Sequence, residues 1–390
     1  MIPPAHGGVL VDRQLAEGPR ERRMAERGEV PVLHPSIDEL YDLDKIGIGA
    51  YSPLDGFMSS EALESVERSG RLPNGLPWTI PILLTPPGAE NRKIIDVASP
   101  GDELALETES GELIGVLHLE EKFGYDRAVL AQAVYGTTDP RHPNVGDLAS
   151  WGDTALAGRI DLIRRLPLPV GRTELSPKEV RETFRAKNWS SVAAYQCRNP
   201  PHVAHEYLQR VTLEREDVDG LLIHPVVGRL KQGDYRPEVI LAAYEALVRN
   251  YYSPRRVMLT SLSIAMRYAG PKAALFLAIV RKNYGCGLYI VGRDQAGVGS
   301  YYDPYAAHRV FDEYDIGVTP LRYEESFYCR RCGGTTSTRT CPHPVSDRID
   351  TSQTRIRKLL KEGGPLPPEL LRPEVAEILR QPDVLIEASR

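Results

Sequence analysis

Between residues 191 and 313 the chain alternates short apolar runs with longer amphipathic ones, and this alternation limits its fold more than any other feature. Residues 191–195, 220–224, 256–260 and 287–291 have the length and composition of strands. Helical stretches follow them at 201–214, 237–251, 271–284 and about 304–313, and the first three begin at a proline, which suits a first helical turn. Strands alternating with helices of this length predict a parallel sheet covered on its faces. Ligands of such sheets sit beyond the carboxyl ends of the strands.

The flanks read differently. Up to about residue 165 the chain reads as β-rich with short helices. The apolar runs 78–84, 93–97 and 112–118 are separated by Gly, Pro and Asp turn signals. Residues 166–169, Leu-Pro-Leu-Pro, read as a linker. From about residue 325 a cysteine cluster precedes a C-terminal helix near 372–380. A length of 390 residues suits two or three domains, and the divisions expected are 1–167, 168–324 and 325–390. No apolar run approaches the ~20 residues needed to span a bilayer, and the N-terminus lacks the pattern of a secretory signal. A net charge of −5 offers nucleic acid no general attraction. An anionic ligand would need a local basic pocket.

Such a pocket is expected where the strands end. The first candidate strand runs into Gln196-Cys197-Arg198-Asn199-Pro200-Pro201-His202-Val203-Ala204-His205. Asn199 can cap a helix started by the two prolines, placing His202 and His205 on one face of its first turn. On a helical wheel Ala204, Tyr207, Leu208 and Val211 form the buried stripe, with His202, His205, Glu206 and Gln209 opposite. A helix N-terminus favours anions through its free N–H groups and dipole, and Arg198 and the two imidazoles add donors for phosphate or sulfate oxygens. An ordinary capped helix with surface histidines, or a metal pair, would give the same local pattern. The last candidate strand runs into Gly292-Arg293-Asp294-Gln295-Ala296-Gly297, where glycines permit close backbone approach and Arg293 offers a forked donor. The loop at 262–271 and the strand end at His224 complete four loops rich in Gly, Arg and His on one sheet edge.

Cys329-x2-Cys332-x8-Cys341-x-His343 is a separate signal. Three thiolates and an imidazole are the donor set of a structural Zn²⁺. The alternative is a group of free buried thiols. Such a site requires reduced cysteines and points to the cytoplasm.

Taken together these segments resemble the ATP sulfurylase family. Residues 196–205 resemble its signature Gln-Thr-Arg-Asn-Pro-x-His-x-x-His, and residues 292–297 its Gly-Arg-Asp-His-Ala-Gly. Ser52-Pro-Leu-Asp-Gly-Phe-Met58, Tyr135-Gly-Thr-Thr-Asp139, Met266-Arg-Tyr-Ala-Gly-Pro271, Arg281-Lys-Asn-Tyr-Gly-Cys286 and Arg372-Pro-Glu-Val-Ala-Glu-Ile-Leu379 match as well, so the resemblance runs from near Pro3 to near Leu379. It implies an α/β architecture: a PUA-like N-terminal domain, a Rossmann-like nucleotidyltransferase domain and a small zinc-bearing C-terminal domain, without a fused kinase-like domain. It further implies that Gln196, Arg198 and the Ala296 backbone hold sulfate. Asn199 and the loop of Arg293, Asp294, Gln295 and Gly297 hold the nucleotide, and His202 and His205 contact the ATP phosphates, while His224 is a binding-edge candidate from its strand-end position alone. The implied reaction is in-line attack of sulfate on the α-phosphorus of ATP, giving adenosine 5′-phosphosulfate and Mg²⁺-pyrophosphate, with neither nucleic acid nor membrane as partner. The family is usually homo-oligomeric, and some members carry zinc at the cysteines. Three positions depart from the family pattern: Cys197 stands for Thr, Gln295 for His, and Ser352-Gln353-Thr354 for Ser-Gly-Thr. Two other readings remain at this level: a different His-x-x-His nucleotidyltransferase, and a catalytically weak nucleotide-binding homologue.

Overall fold

The computed structural model describes residues 1–167, 174–229 and 232–386. The N-terminal region carries helices α1 (Glu17–Ala25), α2 (Ile37–Gly47), α3 (Ser60–Ser69), α4 (Ala89–Val97), α5 (Arg127–Tyr135) and α6 (Pro143–Asp147). Its strands are β1 (Val32–Leu33), β2 (Gly56–Phe57), β3 (Glu103–Glu107), β4 (Leu113–His118), β5 (Glu121–Gly124) and β6 (Thr154–Leu162). They form a six-stranded sheet in the order β1-β3-β4-β6-β2, with β5 also paired to β6. The pairings are antiparallel except β1 with β3.

The middle region has the alternation its sequence predicts: α7 (Pro177–Ala186), β7 (Val192–Cys197), α8 (Val203–Leu213), β8 (Gly220–Pro225), α9 (Pro237–Tyr251), β9 (Val257–Leu259), α10 (Pro271–Asn283), β10 (Leu288–Val291), α11 (Ala306–Glu313) and β11 (Thr319–Arg322). The strands make one parallel sheet in the order β11-β10-β7-β8-β9. Its central strand β7 is buried at every position, because helices cover both faces and a neighbour lies on each side. The chain leaves β7 for β8 and β9 on one side, then returns to β10 on the other. The order therefore reverses between β7 and β10, and a crevice opens at such a reversal beyond the carboxyl ends.

The C-terminal region adds β12 (Ser326–Cys329), β13 (Gly334–Ser337) and β14 (Arg348–Ile349) as a small antiparallel sheet, then α12 (Gln353–Lys361) and α13 (Pro373–Leu379). Neither end of the chain packs apart from the parallel sheet. Tyr51 and Trp78 meet Phe276 of α10 edge-on at 5.2 and 5.4 Å, so the N-terminal region shares a core with one face of that sheet. On the other face Ile356, Leu370, Leu371, Val375 and Leu379 join a core with α8 and α9.

Several local expectations need correction. Residues 78–84 are buried but form no strand, apart from a bridge between Leu84 and Leu156. Pro81 removes a ladder donor in the middle of the run. Residues 93–97 belong to α4, whose Asn91 and Ile95, four residues apart, share the buried face. A five-residue apolar run does not by itself separate helix from strand. Helix α8 starts at Val203, with His202 rather than Asn199 at its N-cap position and without a side-chain cap. The wheel also misplaces Glu206 and Gln209, which are buried. Glu206 pairs with Arg372 and Arg210, and Gln209 accepts from the Tyr252 hydroxyl at 2.7 Å. The C-terminal segment lies over that side of the helix. The linker expected at 166–169 passes out of the described residues after Pro167.

Candidate active site

A cavity of about 670 Å³ opens at the reversal between β7 and β10. Gln196, Cys197, Arg198 and Asn199 line it from the end of β7, and Gly292, Arg293, Asp294, Gln295 and Ala296 from the end of β10. His202, Ala204, His205 and Leu208 of α8 and Met266 of the β9–α10 loop complete this wall. The opposite wall comes from the C-terminal region and includes Phe327, Arg348, Ser352, Gln353, Thr354 and Arg357. The volume suits a nucleotide-sized ligand.

Two short loops arrange the first wall. Gln295 donates through Nε2 to Gln196 Oε1 at 2.6 Å, tying the β10 loop to the β7 loop, and it lies 3.3 Å from the Tyr289 hydroxyl. Arg198 donates through Nη2 to the Gly297 carbonyl at 3.2 Å and rests over the Tyr268 ring at 4.6 Å. Its Nη1 is buried without a partner. Asp294 and Ala296 both hold φ of +57°, a region that side chains other than glycine seldom enter. Backbone strain of this sort persists where surrounding contacts fix the loop, commonly at ligand sites. Burial raises the Asp294 carboxyl above its ordinary value, against the pull of Arg198 and Arg293. The Arg293 guanidinium is half-exposed and 3.6 Å from Glu325.

His202 and His205 stack with ring centroids 3.7 Å apart. Their Nδ1 atoms are buried without partners. Burial pushes the His205 imidazole down to about 4, partly offset by the Pro200 carbonyl. Burial lowers His202 well below its ordinary value, and the neighbouring His205 lowers it further. Both rings are therefore neutral near pH 7, each able to donate one N–H. The helix N-terminus beneath them is less open than its sequence suggests. The Val203 N–H already donates to the Leu370 carbonyl at 3.0 Å, and Gln353 donates to the Pro200 carbonyl at 2.8 Å.

His224 is the expected site residue that the structure places elsewhere. It is fully buried in β8, donating through Nε2 to the Ser261 carbonyl at 3.0 Å and edge-on to Tyr284 at 4.6 Å. Central strands are covered on both faces, so a histidine at this register faces the core rather than the cavity. Burial, with Arg281 close by, keeps it neutral. Sequence reasoning missed Arg348 and Arg357. Arg357 donates to Asn199 Oδ1 at 2.7 Å and to Asp234 at 3.1 Å. No local motif marks either arginine, because folding of the C-terminal region is what brings them to the cavity.

The Cys329, Cys332, Cys341 and His343 donor atoms all lie within 4.8 Å of one another. His343 Nδ1 is 3.4, 3.2 and 3.6 Å from the three sulfurs in chain order. The β12–β13 hairpin brings Cys329 and Cys332 to the returning Cys341 and His343. Three thiols and one imidazole at this spacing can share one tetrahedral ion. Among the described residues no other group of three or more His, Cys, Asp or Glu side chains is so placed, and no helix is long and apolar enough to cross a membrane.

Comparison with known proteins converges on the same region. Residues 171–382 match the ATP-sulfurylase family and residues 3–165 a PUA-like domain. A sulfate adenylyltransferase of Symbiobacterium thermophilum is 44% identical over 96% of this chain and 95% of its own length. One from Halothermothrix orenii is 45% identical over 98% and 99%. Among solved structures, the hexameric APS kinase from Thiobacillus denitrificans superposes with a TM-score of 0.75 at 25% identity, covering 97% of this chain and 68% of that one. With its family match over more than half its length and such relatives end to end, the chain belongs to the ATP-sulfurylase family.

Proposed function

We propose that the protein is a sulfate adenylyltransferase, converting ATP and sulfate reversibly to adenosine 5′-phosphosulfate and pyrophosphate. Family membership supports the reaction. The observation that carries the site assignment is the meeting of residues 196–199, His202, His205 and residues 292–296 in one cavity at the sheet's reversal point.

A sulfate oxygen attacks the α-phosphorus in line. The bond from that phosphorus to the α,β-bridging oxygen breaks, and pyrophosphate leaves with the electron pair. Sulfate is a dianion at neutral pH, so the nucleophile has no proton to lose. The obstacle is the approach of two anions and the charge on the pentacoordinate phosphorus. Positioning and preorganised donors meet both. Gln196, Arg198 and the Ala296 backbone hold sulfate. Gln295 holds the Gln196 carbonyl oxygen, which would otherwise repel a sulfate oxygen, and so presents the Gln196 amide N–H₂. In that role it serves in place of the family's usual histidine. Asn199, Arg293, Asp294 and Gly297 hold the nucleotide, and the two histidines donate to its phosphates. Mg²⁺ arrives with ATP or pyrophosphate and screens their charge.

The Cys329, Cys332, Cys341 and His343 set is assigned to a structural Zn²⁺. It supplies four donors and leaves no open position for water or substrate. Reduced thiols are needed for it, which fits the cytoplasm. The functional division is 1–167, 168–324 and 325–390, and the assembly is a homo-oligomer. The test is conversion of adenosine 5′-phosphosulfate and pyrophosphate to ATP with Mg²⁺. A folded, monodisperse protein that makes no ATP across a range of pH and temperature would overturn the assignment.

A further inference from the structure

Four arginines line the cavity, and their partners separate them. Arg357 is committed to Asn199 and Asp234. Arg293 faces Glu325. Arg198 is spent in part on the Gly297 carbonyl. Arg348 is different. Its guanidinium lies 4.1 Å from the centre of the Phe327 ring, and its Nε, like Arg198 Nη1 and Arg357 Nε, is buried without a partner. Among the described residues no carboxylate lies within ion-pair distance of it. A partly desolvated cation without a counter-ion is unfavourable unless a ligand completes it.

The backbone around Arg348 is held firmly. It sits on β14, directly opposite Cys329 of β12, and the Arg330 N–H donates to the Asp347 carbonyl at 2.9 Å. Phe327, under the guanidinium, is on the same strand β12. The arginine is thus carried on a strand paired to β12, the strand that ends at Cys329.

We infer that Arg348 is a ligand of the β- and γ-phosphates of ATP, the pair that leaves as pyrophosphate. This rests on the reaction proposed above. The sulfate donors lie on the parallel-sheet wall, at the end of β7, whereas Arg348 lines the facing wall. The nucleotide is the larger and more highly charged substrate and is the one that spans from wall to wall. A guanidinium with one face on an aromatic ring still presents its N–H edge, the geometry that binds two phosphate oxygens at once.

The test uses the full chain. Mg²⁺-pyrophosphate, ATP and adenosine are titrated calorimetrically into the parent, Arg348→Gln and Arg348→Lys, with melting temperatures measured alongside. The glutamine variant should bind pyrophosphate and ATP about 10–100-fold more weakly, the usual loss for a charged hydrogen-bonding pair. Adenosine binding should be unchanged and the lysine variant intermediate. The Michaelis constant for pyrophosphate should rise more than turnover falls. In the parent, Mg²⁺-pyrophosphate but not adenosine should protect Arg348 from an arginine-specific dicarbonyl reagent mapped by mass spectrometry, a readout that survives if the glutamine variant fails to fold. Unchanged pyrophosphate affinity in a folded glutamine variant, an equal loss for adenosine, or absent protection would overturn the inference. A parent that binds pyrophosphate through Arg348 yet makes no ATP would sink the reaction and leave the ligand assignment standing.

Discussion

The two walls of the cavity differ in how they are built. The parallel-sheet wall comes from two adjacent strand ends whose loops are continuous with a buried core, and Gln196, Arg198, Gln295 and Gly297 are cross-bonded there at 2.6–3.2 Å. The C-terminal wall comes from the start of α12, which joins the large core through Ile356, and from a hairpin and a two-residue strand whose own core is Phe327, Cys329 and Cys341. The first wall is fixed by the fold. The second gathers four metal-type donors and meets the first through the Gln353 bond to Pro200 and the Arg357 bond to Asn199. Under the proposed function the first wall carries the sulfate donors and most of the nucleotide contacts, and the second wall adds Arg348 at the outer phosphates.

The largest effect that could break this comparison is at Arg198. If it acts on the developing charge, Arg198→Ala should lower turnover by ~10²–10³, or roughly 3–4 kcal/mol, with a smaller change in the Michaelis constant for ATP. A variant with near-normal turnover and only weaker binding would make the first wall a binding wall like the second. Next in size is the cysteine–histidine set, if it holds the proposed Zn²⁺. Metal binding contributes ~10–16 kcal/mol to isolated zinc modules, and neighbouring packing should reduce that here. Cys329→Ser/Cys332→Ser should abolish zinc measured by elemental analysis and lower Tm by roughly 3–5 °C, equivalent to about 2–4 kcal/mol in a protein of this size. Well below that temperature ATP affinity should fall while turnover at saturation largely survives. Stoichiometric zinc in the double variant would remove the ligand assignment. Complete loss of turnover with stability intact would make the metal catalytic.

These walls were unequally legible in the sequence. The strand ends, the His-x-x-His pair and the Gly-Arg-Asp loop could be read because each lies within a few residues of a strand whose period and length are plain. The cysteine quartet could be read because ligand spacing is itself a local pattern. The Gln196–Gln295 bond, the burial of Glu206, and the arrival of Arg348 and Arg357 could not, since each depends on elements some 100 or more residues apart coming together. His224 shows the opposite failure. A histidine at a strand end is chemically suggestive, yet its register in a doubly covered sheet sends it inward.

A smaller effect sharpens the role of the odd residue in the active-site loop. Gln295→Leu removes the donor that orients Gln196. Leaving a buried carbonyl oxygen unpaired costs about 1–3 kcal/mol, so the Michaelis constant for sulfate should rise by about tenfold with ATP little affected. Gln295→His should keep activity and introduce a titration between about pH 5 and 8 that the parent lacks. Equal effects of Gln295→Leu on sulfate and ATP would assign the residue to general loop stability.

The smallest effect concerns the stacked histidines. Their lowered values mean that the unfolded chain takes up protons first as pH falls from about 6.5 toward 4, so these groups make the fold less stable across that window. A bound polyphosphate should raise both imidazoles, so nucleotide binding near pH 6 should take up a fraction of a proton and tighten as pH falls from 7. Calorimetry in buffers of different ionisation enthalpy measures this. Identical apparent enthalpies in all buffers would show that the rings remain neutral donors.

The most direct test of the central claim is exchange of labelled pyrophosphate into ATP with and without sulfate. Exchange requires that the adenylyl group pass to sulfate and back within one site. The account predicts exchange in the parent that depends strictly on sulfate, saturates with it, and falls by ~10²–10³ in Arg198→Ala. Exchange of equal rate without sulfate, or none from a folded protein that binds both ATP and sulfate, would contradict it.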